Sequence, residues 1–279
     1  MPTRPDVAAQ QSASHAKRHP LETLGRVGYA VKGVVYALLG GLALQAAFKD
    51  GDPEGSKGAF ETIAETSFGS FLLTVIAIGL AAYALWRIAL AFLDPEGEGS
   101  DGKGLARRAF YLVSAGSYLA LAYAAYDLIS GGGQGGGGGG TEERTSTIFS
   151  LPFGRWLVGL AALGILGYGA YQFVRAYKAS FMDKFDLTGT GADHRTLVRR
   201  AGQAGLSARG VVYLIVGVFL GRAALQYDAD EALGLDGALS VVQSQPYGAL
   251  LLGAVALGLI GYAVYCWTNA RYRRFEGNQ

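Results

Sequence analysis

The sequence predicts an all-α integral membrane protein. Six transmembrane helices come from three tandem, parallel two-helix repeats, placed with pseudo-threefold symmetry about the membrane normal. Three observations lead there. Charged residues make up only 16% of the 279 residues, against 51% hydrophobic, whereas a soluble domain carries about 25% charged residues. The remaining apolar content gathers in six stretches, about 27–48, 69–93, 109–129, 153–177, 206–226 and 248–268. Each approaches the roughly 20 residues needed to cross a ~30 Å hydrocarbon core. Finally, a tyrosine recurs in fixed company: Gly33-Val34-Val35-Tyr36 and Gly210-Val211-Val212-Tyr213, with Tyr118 between them in a more worn copy. A second one closes Gly79-Leu80-Ala81-Ala82-Tyr83, Gly164-Ile165-Leu166-Gly167-Tyr168 and Gly258-Leu259-Ile260-Gly261-Tyr262. Self-similarity at a fixed period is the mark of a repeat architecture.

Residues 1–23 hold Arg4, Lys17, Arg18 and His19 but no apolar core and no small-residue cleavage site. They read as a basic, disordered cytoplasmic tail rather than a secretory signal. The repeats then span 24–95, 105–181 and 201–275. Each has a basic start, an outward span, an outer connector, an inward span and an aromatic or basic exit. Leu38–Ala47 and Leu250–Ala263 show almost no polar stripe, unlike a buried helix of a soluble bundle.

The basic residues set the orientation. Arg4, Lys17, Arg18, Arg26, Lys103, Arg107, Arg108, Lys178, Lys184, Arg195, Arg199, Arg200, Arg271, Arg273 and Arg274 fall in one set of segments between spans. Only Lys49, Lys57 and Arg144 fall in the other. That bias places both termini in the cytoplasm. The outer connectors are acidic, as at Asp50, Asp52, Glu54, Asp228, Asp230 and Glu231, which keeps them solvated. The net charge of +2 averages two opposed faces and gives no case for nucleic-acid binding.

Gly58-Ala59-Phe60 with Ile63, Gly237-Ala238-Leu239 with Val242, and Ile148 in the middle copy have helical spacing. They predict short amphipathic helices on the outer interface. Pro152 and Pro246 fit helix starts. Gly131 to Gly140, broken only by Gln134, is a flexible linker. Thr141-Glu142-Glu143 follows it, where a phosphate-cradling loop would need Lys-Ser or Lys-Thr. Small residues such as Gly217 with Gly221 allow close helix approach.

Polar positions within the spans are the candidate functional residues, because they are costly there. At one depth the first helices carry Lys32, Ser114 and Arg209, and four residues later Tyr36, Tyr118 and Tyr213 on the same face. The second helices carry Tyr83, Tyr168 and Tyr262, then Arg87, Gln172 and Cys266. Nearer the outer end come Gln45, Asp127 and Arg222. Lys32 and Gln45 lie on nearly opposite faces at ~100° per residue. If the tyrosine face lines the interior, the outer layer sits at repeat contacts or headgroups. Lys32, Arg209 and Arg87 are expected to snorkel toward the cytoplasmic phosphates. The tyrosines are expected to hold the hairpins together by hydrogen bonds, with Tyr83, Tyr168 and Tyr262 able to serve an interfacial aromatic belt.

Catalytic constellations are missing from the sequence. His15, His19 and His194 lie in tails or connectors, and Cys266 is the one cysteine. No metal site, disulfide framework or cofactor is implied, and no enzyme activity is expected.

Three hairpins with a Gly-x-x-Tyr first span and a Gly-x-x-Gly/Ala-Tyr second span resemble the bacterial membrane family catalogued as domain of unknown function 1206. The resemblance runs from Leu24 to Phe275. It rests on Arg26, Gly33, Tyr36, Phe68, Gly69, Gly79 and Tyr83, and on Gly210, Tyr213, Tyr247, Gly248, Gly258 and Tyr262. The middle copy departs at Ala115 and in its poly-glycine insertion. The resemblance implies a six-span inner-membrane protein with the lipid bilayer as partner, and it brings no activity with it. The expected function is structural, scaffolding or accessory; the alternative is a small transporter or channel lined by the repeat tyrosines.

Overall fold

A computed structural model describes residues 4–48, 56–94, 99–130 and 141–273, with side chains from residue 22 onward and from residue 58 in the second helix. The described residues are helical, and the single pairing of extended backbone is an isolated bridge between Phe185 and Arg273. The helices are α1 (Arg4–Phe48), α2 (Ser56–Ala64), α3 (Gly69–Leu93), α4 (Gly102–Ile129), α5 (Thr141–Phe149), α6 (Gly154–Lys178), α7 (Ala192–Gln226), α8 (Leu235–Gln243) and α9 (Gly248–Tyr272). Six of them are long and apolar enough to cross a membrane: α1 from Glu22 on, α3, α4, α6, α7 and α9.

Two boundaries differ from expectation. The tail is not disordered throughout, because α1 starts at Arg4. The stretch Asp6–Arg18 contains neither glycine nor proline, so nothing interrupts helix propagation there. Likewise α7 starts at Ala192, and Arg195, Arg199 and Arg200 ride on a helix rather than a loop. The poly-glycine segment lies outside the described residues.

The three expected short helices are α2, α5 and α8. α2 and α8 bury the predicted stripes, Ala59, Phe60 and Ile63 and Ala238, Leu239 and Val242; in α5 the buried residues are Thr145 and Phe149, and the predicted Ile148 is half-buried. A tight turn joins each to the next long helix. Gly69, Gly154 and Gly248 open those helices where a Cβ would collide with the carbonyl oxygen of Ile63, Ile148 or Gln243. Only glycine permits this approach. Pro152 and Pro246 stand in the turn, one residue before Phe153 and Tyr247, whose φ values are 62° and 63°.

The strongest helix contacts join one copy to another: α3 with α4, α6 with α7 and α9 with α1. Residue sizes match across these seams. Gly33 faces the Trp267 indole and Gly210 the Phe173 ring. In the middle copy the first-helix residue is Ala115, buried to 2% exposure, and the α3 residue in that register is the smaller Ile88. Gly40 lies against Ile260 and Gly217 against Leu166, while Ala122 pairs in register with Ala81 in one core cluster. Gly-for-Ala on one helix is offset by a larger side chain on the other, which conserves packed volume.

A second set of contacts finishes the helix ends. The Arg26 Nη1 donates to the carbonyls of Ala270 and Arg271 at 3.1 and 3.0 Å. The Arg108 Nε donates to that of Ala91 at 2.6 Å, and the Gln203 Nε2 to that of Ala176 at 2.9 Å. Arg26, Arg108 and Gln203 are equivalent positions, as are Ala270, Ala91 and Ala176. One polar side chain of each copy thus satisfies the orphan carbonyls that end a second helix.

Within a copy, packing is uneven. α1 packs on α3 and α7 on α9, but α4 and α6 make at most marginal backbone contact. The cause is local. A Cβ at Gly28 would lie 2.5 Å from the Tyr83 Cβ, and one at Gly205 would lie 2.5 Å from the Tyr262 Cα. The equivalent middle residue is Phe110, whose ring meets the Tyr168 ring at 4.7 Å between centroids. Gly79 fits under Val31 and Gly258 under Ala208, whereas a Cβ at Gly164 would meet nothing within 4 Å. Phe110 props the middle pair apart.

Candidate functional site

The six recurring tyrosines meet inside the bundle in three edge-to-face pairs. Tyr36 and Tyr262 have ring centroids 4.6 Å apart with planes at 68°. Tyr118 and Tyr83 stand at 4.6 Å and 74°, and Tyr213 and Tyr168 at 5.1 Å and 69°. Each pair bridges one of the three inter-copy seams. Such geometry sets the positive edge of one ring on the negative face of the other and adds about 0.5–1.5 kcal/mol beyond burial. Tyr83 and Tyr262 are 0% and 3% exposed, so these two lie in the core and not in a surface belt.

Cations sit among the rings. Lys32 is 3% exposed and its Nζ donates to the Tyr83 hydroxyl at 3.3 Å. That ammonium lies 4.8, 4.9 and 5.5 Å from the ring centroids of Tyr83, Tyr118 and Tyr262. The Arg209 guanidinium, 6% exposed, lies 4.3 Å from the Tyr262 centroid, 5.0 Å from Tyr213 and 5.3 Å from Tyr36. It also donates to the Tyr213 hydroxyl. Arg87, half-buried, donates to the Tyr83 hydroxyl from Nε at 3.1 Å and Nη2 at 2.7 Å. Neither Lys32 nor Arg209 snorkels. The tyrosine four residues along the same helix face gives each a π-surface inside the bundle, and both point inward.

None of the three has a carboxylate partner among the described residues, whereas Arg26 pairs with Glu22 and Arg222 with Glu231. Lys32 lies instead in the field of Arg209 and Arg87. A desolvated cation–π contact is worth about 2 kcal/mol, while a buried ion carries an effective penalty of several kcal/mol. The rings offset part of that penalty and leave a demand for negative charge. Two unpartnered polar groups lie in the same layers: the side-chain oxygen and nitrogen of Gln172, which is 0% exposed, and the Nε of Arg209.

At the equivalent positions the middle copy has no cation, although its Arg175 donates to the Tyr265 hydroxyl at 3.3 Å. Ser114 takes the place of Lys32 and Arg209, and Gln172 that of Arg87. Tyr168 and Tyr118 are half-buried. Cys266, in the third equivalent position, is a buried free thiol. The outer layer stays apart: Gln45 and Arg222 are exposed, and Arg222 pairs with Glu231 at 3.1 Å.

Sequence reasoning passed over two contributors to this end of the bundle. Arg26 entered as an orientation charge and a mark of the family resemblance and Arg108 as an orientation charge alone, although their alignment with Gln203 was a signal. The Arg273 Nη1 donates to the Tyr29 hydroxyl at 3.0 Å; no repeat marks that pair, because Asp94 and Ala179 take the place of Arg273 in the other copies. Among the described residues, no group of His, Cys, Asp and Glu could hold a metal ion.

The family model described as Domain of Unknown Function (DUF1206) matches the chain three times, at residues 27–94, 109–179 and 204–273. The chain belongs to this family. The three matches coincide with the copies whose tyrosines, seams and end caps repeat. The uncharacterised protein YxxB of Bacillus subtilis (strain 168) is similar, at 36% identity over 255 residues, covering 91% of each chain. No solved structure matches.

Proposed function

We propose that this member of the family is a six-span protein of a bacterial plasma membrane that binds an anion in its tyrosine core, in an accessory rather than enzymatic role. The three copies surround a common axis along the membrane normal, and both termini are cytoplasmic. The bias of basic residues supports that orientation, and the three equivalent tyrosine pairs support the axis. The observation that carries the function is charge: Lys32, Arg87 and Arg209 share one core without a carboxylate. Burying cations in a membrane and leaving them uncompensated is costly, and a bound anion removes the cost.

A purely structural core is the second reading, favoured by the edge-to-face tyrosine pairs. A transporter or channel built on the same tyrosine faces would, by this charge, carry anions.

The test is stabilisation by ligand. Full-length protein in nanodiscs of uncharged lipid is titrated with phosphate, sulfate and small carboxylates while thermal unfolding is followed. An anion at about 100 times its dissociation constant adds roughly 2.7 kcal/mol, and Lys32→Met with Arg209→Met abolishes the gain. Equal stabilisation of wild type and the double variant, or none with any anion, sinks the anion reading and leaves the structural one. Flux of the stabilising anion into proteoliposomes then separates a carrier from a static site.

A further inference from the structure

We propose that the anion is the headgroup of a phosphate-bearing amphiphile that reaches the tyrosine core sideways from the bilayer, through the seam between α4 and α6. This rests on the anion-site reading and adds the route and the class of ligand.

The seam is built differently from its two counterparts. α1 is locked to α3 by Gly28 against Tyr83 and by Gly79 under Val31, and α7 to α9 by Gly205 against Tyr262 and by Gly258 under Ala208. In the middle copy Phe110 meets Tyr168 ring to ring, Gly164 faces open space, and the two helices stand apart. The gap bares the edge of the core. Tyr168 is half-buried where Tyr83 and Tyr262 are 0% and 3% exposed.

The lining grades from apolar to polar to cationic. Val113 and Leu163 flank the outside, each 67% exposed, and suit an acyl chain. Ser114 of α4 is half-buried and Gln172 of α6 is fully buried with its amide unpartnered; both are uncharged. Beyond them stand Lys32 and Arg209, the latter with its Nε unpartnered. An anionic head on an apolar tail matches that order: the tail stays among the seam's apolar residues and the head meets the cations. A chainless anion would use the cations but gain nothing from the seam.

Native mass spectrometry of the full chain in detergent tests this with two probes, phosphatidylglycerol and glycerol phosphate. Gly164→Trp plugs the seam; it sits in open space, so the fold tolerates it, and Val113→Trp is a second plug. The expected result is about a tenfold loss of phosphatidylglycerol affinity in either plug, with a loss at least as large in Arg209→Met. Glycerol phosphate should bind more weakly, lose binding in Arg209→Met and ignore the plugs. Lipid bound equally by wild type and both plugs is annular only and overturns lateral access. Glycerol phosphate matching the lipid overturns the amphiphile while sparing the anion site. If neither probe depends on Arg209, the anion reading itself falls.

Discussion

The middle copy and its two neighbours start from nearly the same pattern and end in different packing. In the first and third copies a glycine lies eight residues before the first tyrosine, and the two long helices close until Cβ atoms have no room. In the middle copy that residue is Phe110, and the pair stands open. The inter-copy seams do not follow this split. All three are packed, with small residues matched to large ones across each. The repeat therefore separates two duties: contacts between copies preserve the ring, while contacts within a copy decide whether a helix pair is a wall or an opening. At the middle pair an aromatic ring stands where the other two copies carry glycine, while the seams between copies pack alike.

The largest test of that contrast pairs Gly205→Leu with Gly164→Leu. At Gly205 the new side chain meets the Tyr262 backbone, which cannot step aside, so a loss of about 3 kcal/mol or more is expected. At Gly164 the change should stay within about 0.5 kcal/mol. Thermal unfolding in detergent reads both, and equal losses would dissolve the distinction between the seams.

Next in size is Tyr83→Phe against Tyr168→Phe. The Tyr83 hydroxyl accepts from Lys32 and Arg87, and hydrogen bonds to charged groups are worth about 1.5–3 kcal/mol. Tyr83→Phe should therefore cost about 2 kcal/mol and Tyr168→Phe well under 1 kcal/mol by the same principle. A reversed order in chemical unfolding would mean that the open seam, not the closed one, carries the cations.

A smaller effect is expected from the caps. Arg108→Ala leaves the Ala91 and Phe92 carbonyls without their donor and should lower stability by about 1 kcal/mol. Gln203→Ala should act in the same direction by a similar amount if the caps are equivalent. Hydrogen exchange at the last turns of α3 and α6 localises each loss.

The smallest change in stability, and the most direct on geometry, comes from Phe110→Gly. Glycine costs about 1 kcal/mol in a helix, offset by closer packing, so the net change should be under about 1 kcal/mol. Distances between spin labels on α4 and α6 should shorten toward those measured across α1 and α3. Unchanged distances would show that something other than Phe110 holds the pair apart.

Much of the architecture was legible in the residues. Hydropathy marked the six long helices because each must be apolar on nearly every side, and period marked the three short ones. The six tyrosines were found by register alone, and register also put Lys32 and Arg209 beneath Tyr36 and Tyr213. The inward course of those cations was not legible. Whether a lysine snorkels depends on what the facing helices offer, and Tyr83 and Tyr262 belong to distant parts of the chain. Phe110 was visible too, as a departure from Gly28 and Gly205. Its effect became apparent only once α6 brought Tyr168 opposite it.

The reach of Arg26 across to the end of α9 has a consequence in time. Ribosomes deliver α1 first and α9 last, yet these two helices share the Trp267 bond to the Ala30 carbonyl at 3.1 Å, the Tyr36–Tyr262 pair and the Arg26 cap. Throughout synthesis the first helix keeps an unmatched face, with Gly33 and Gly40 exposed to whatever neighbour arrives. Contacts of such sequence separation form slowly, and an unfinished chain of this kind is open to misassembly. α9 is thus the clasp between the first helix and α7, and a nascent chain cut short before Tyr262 would leave both without the partner that joins them.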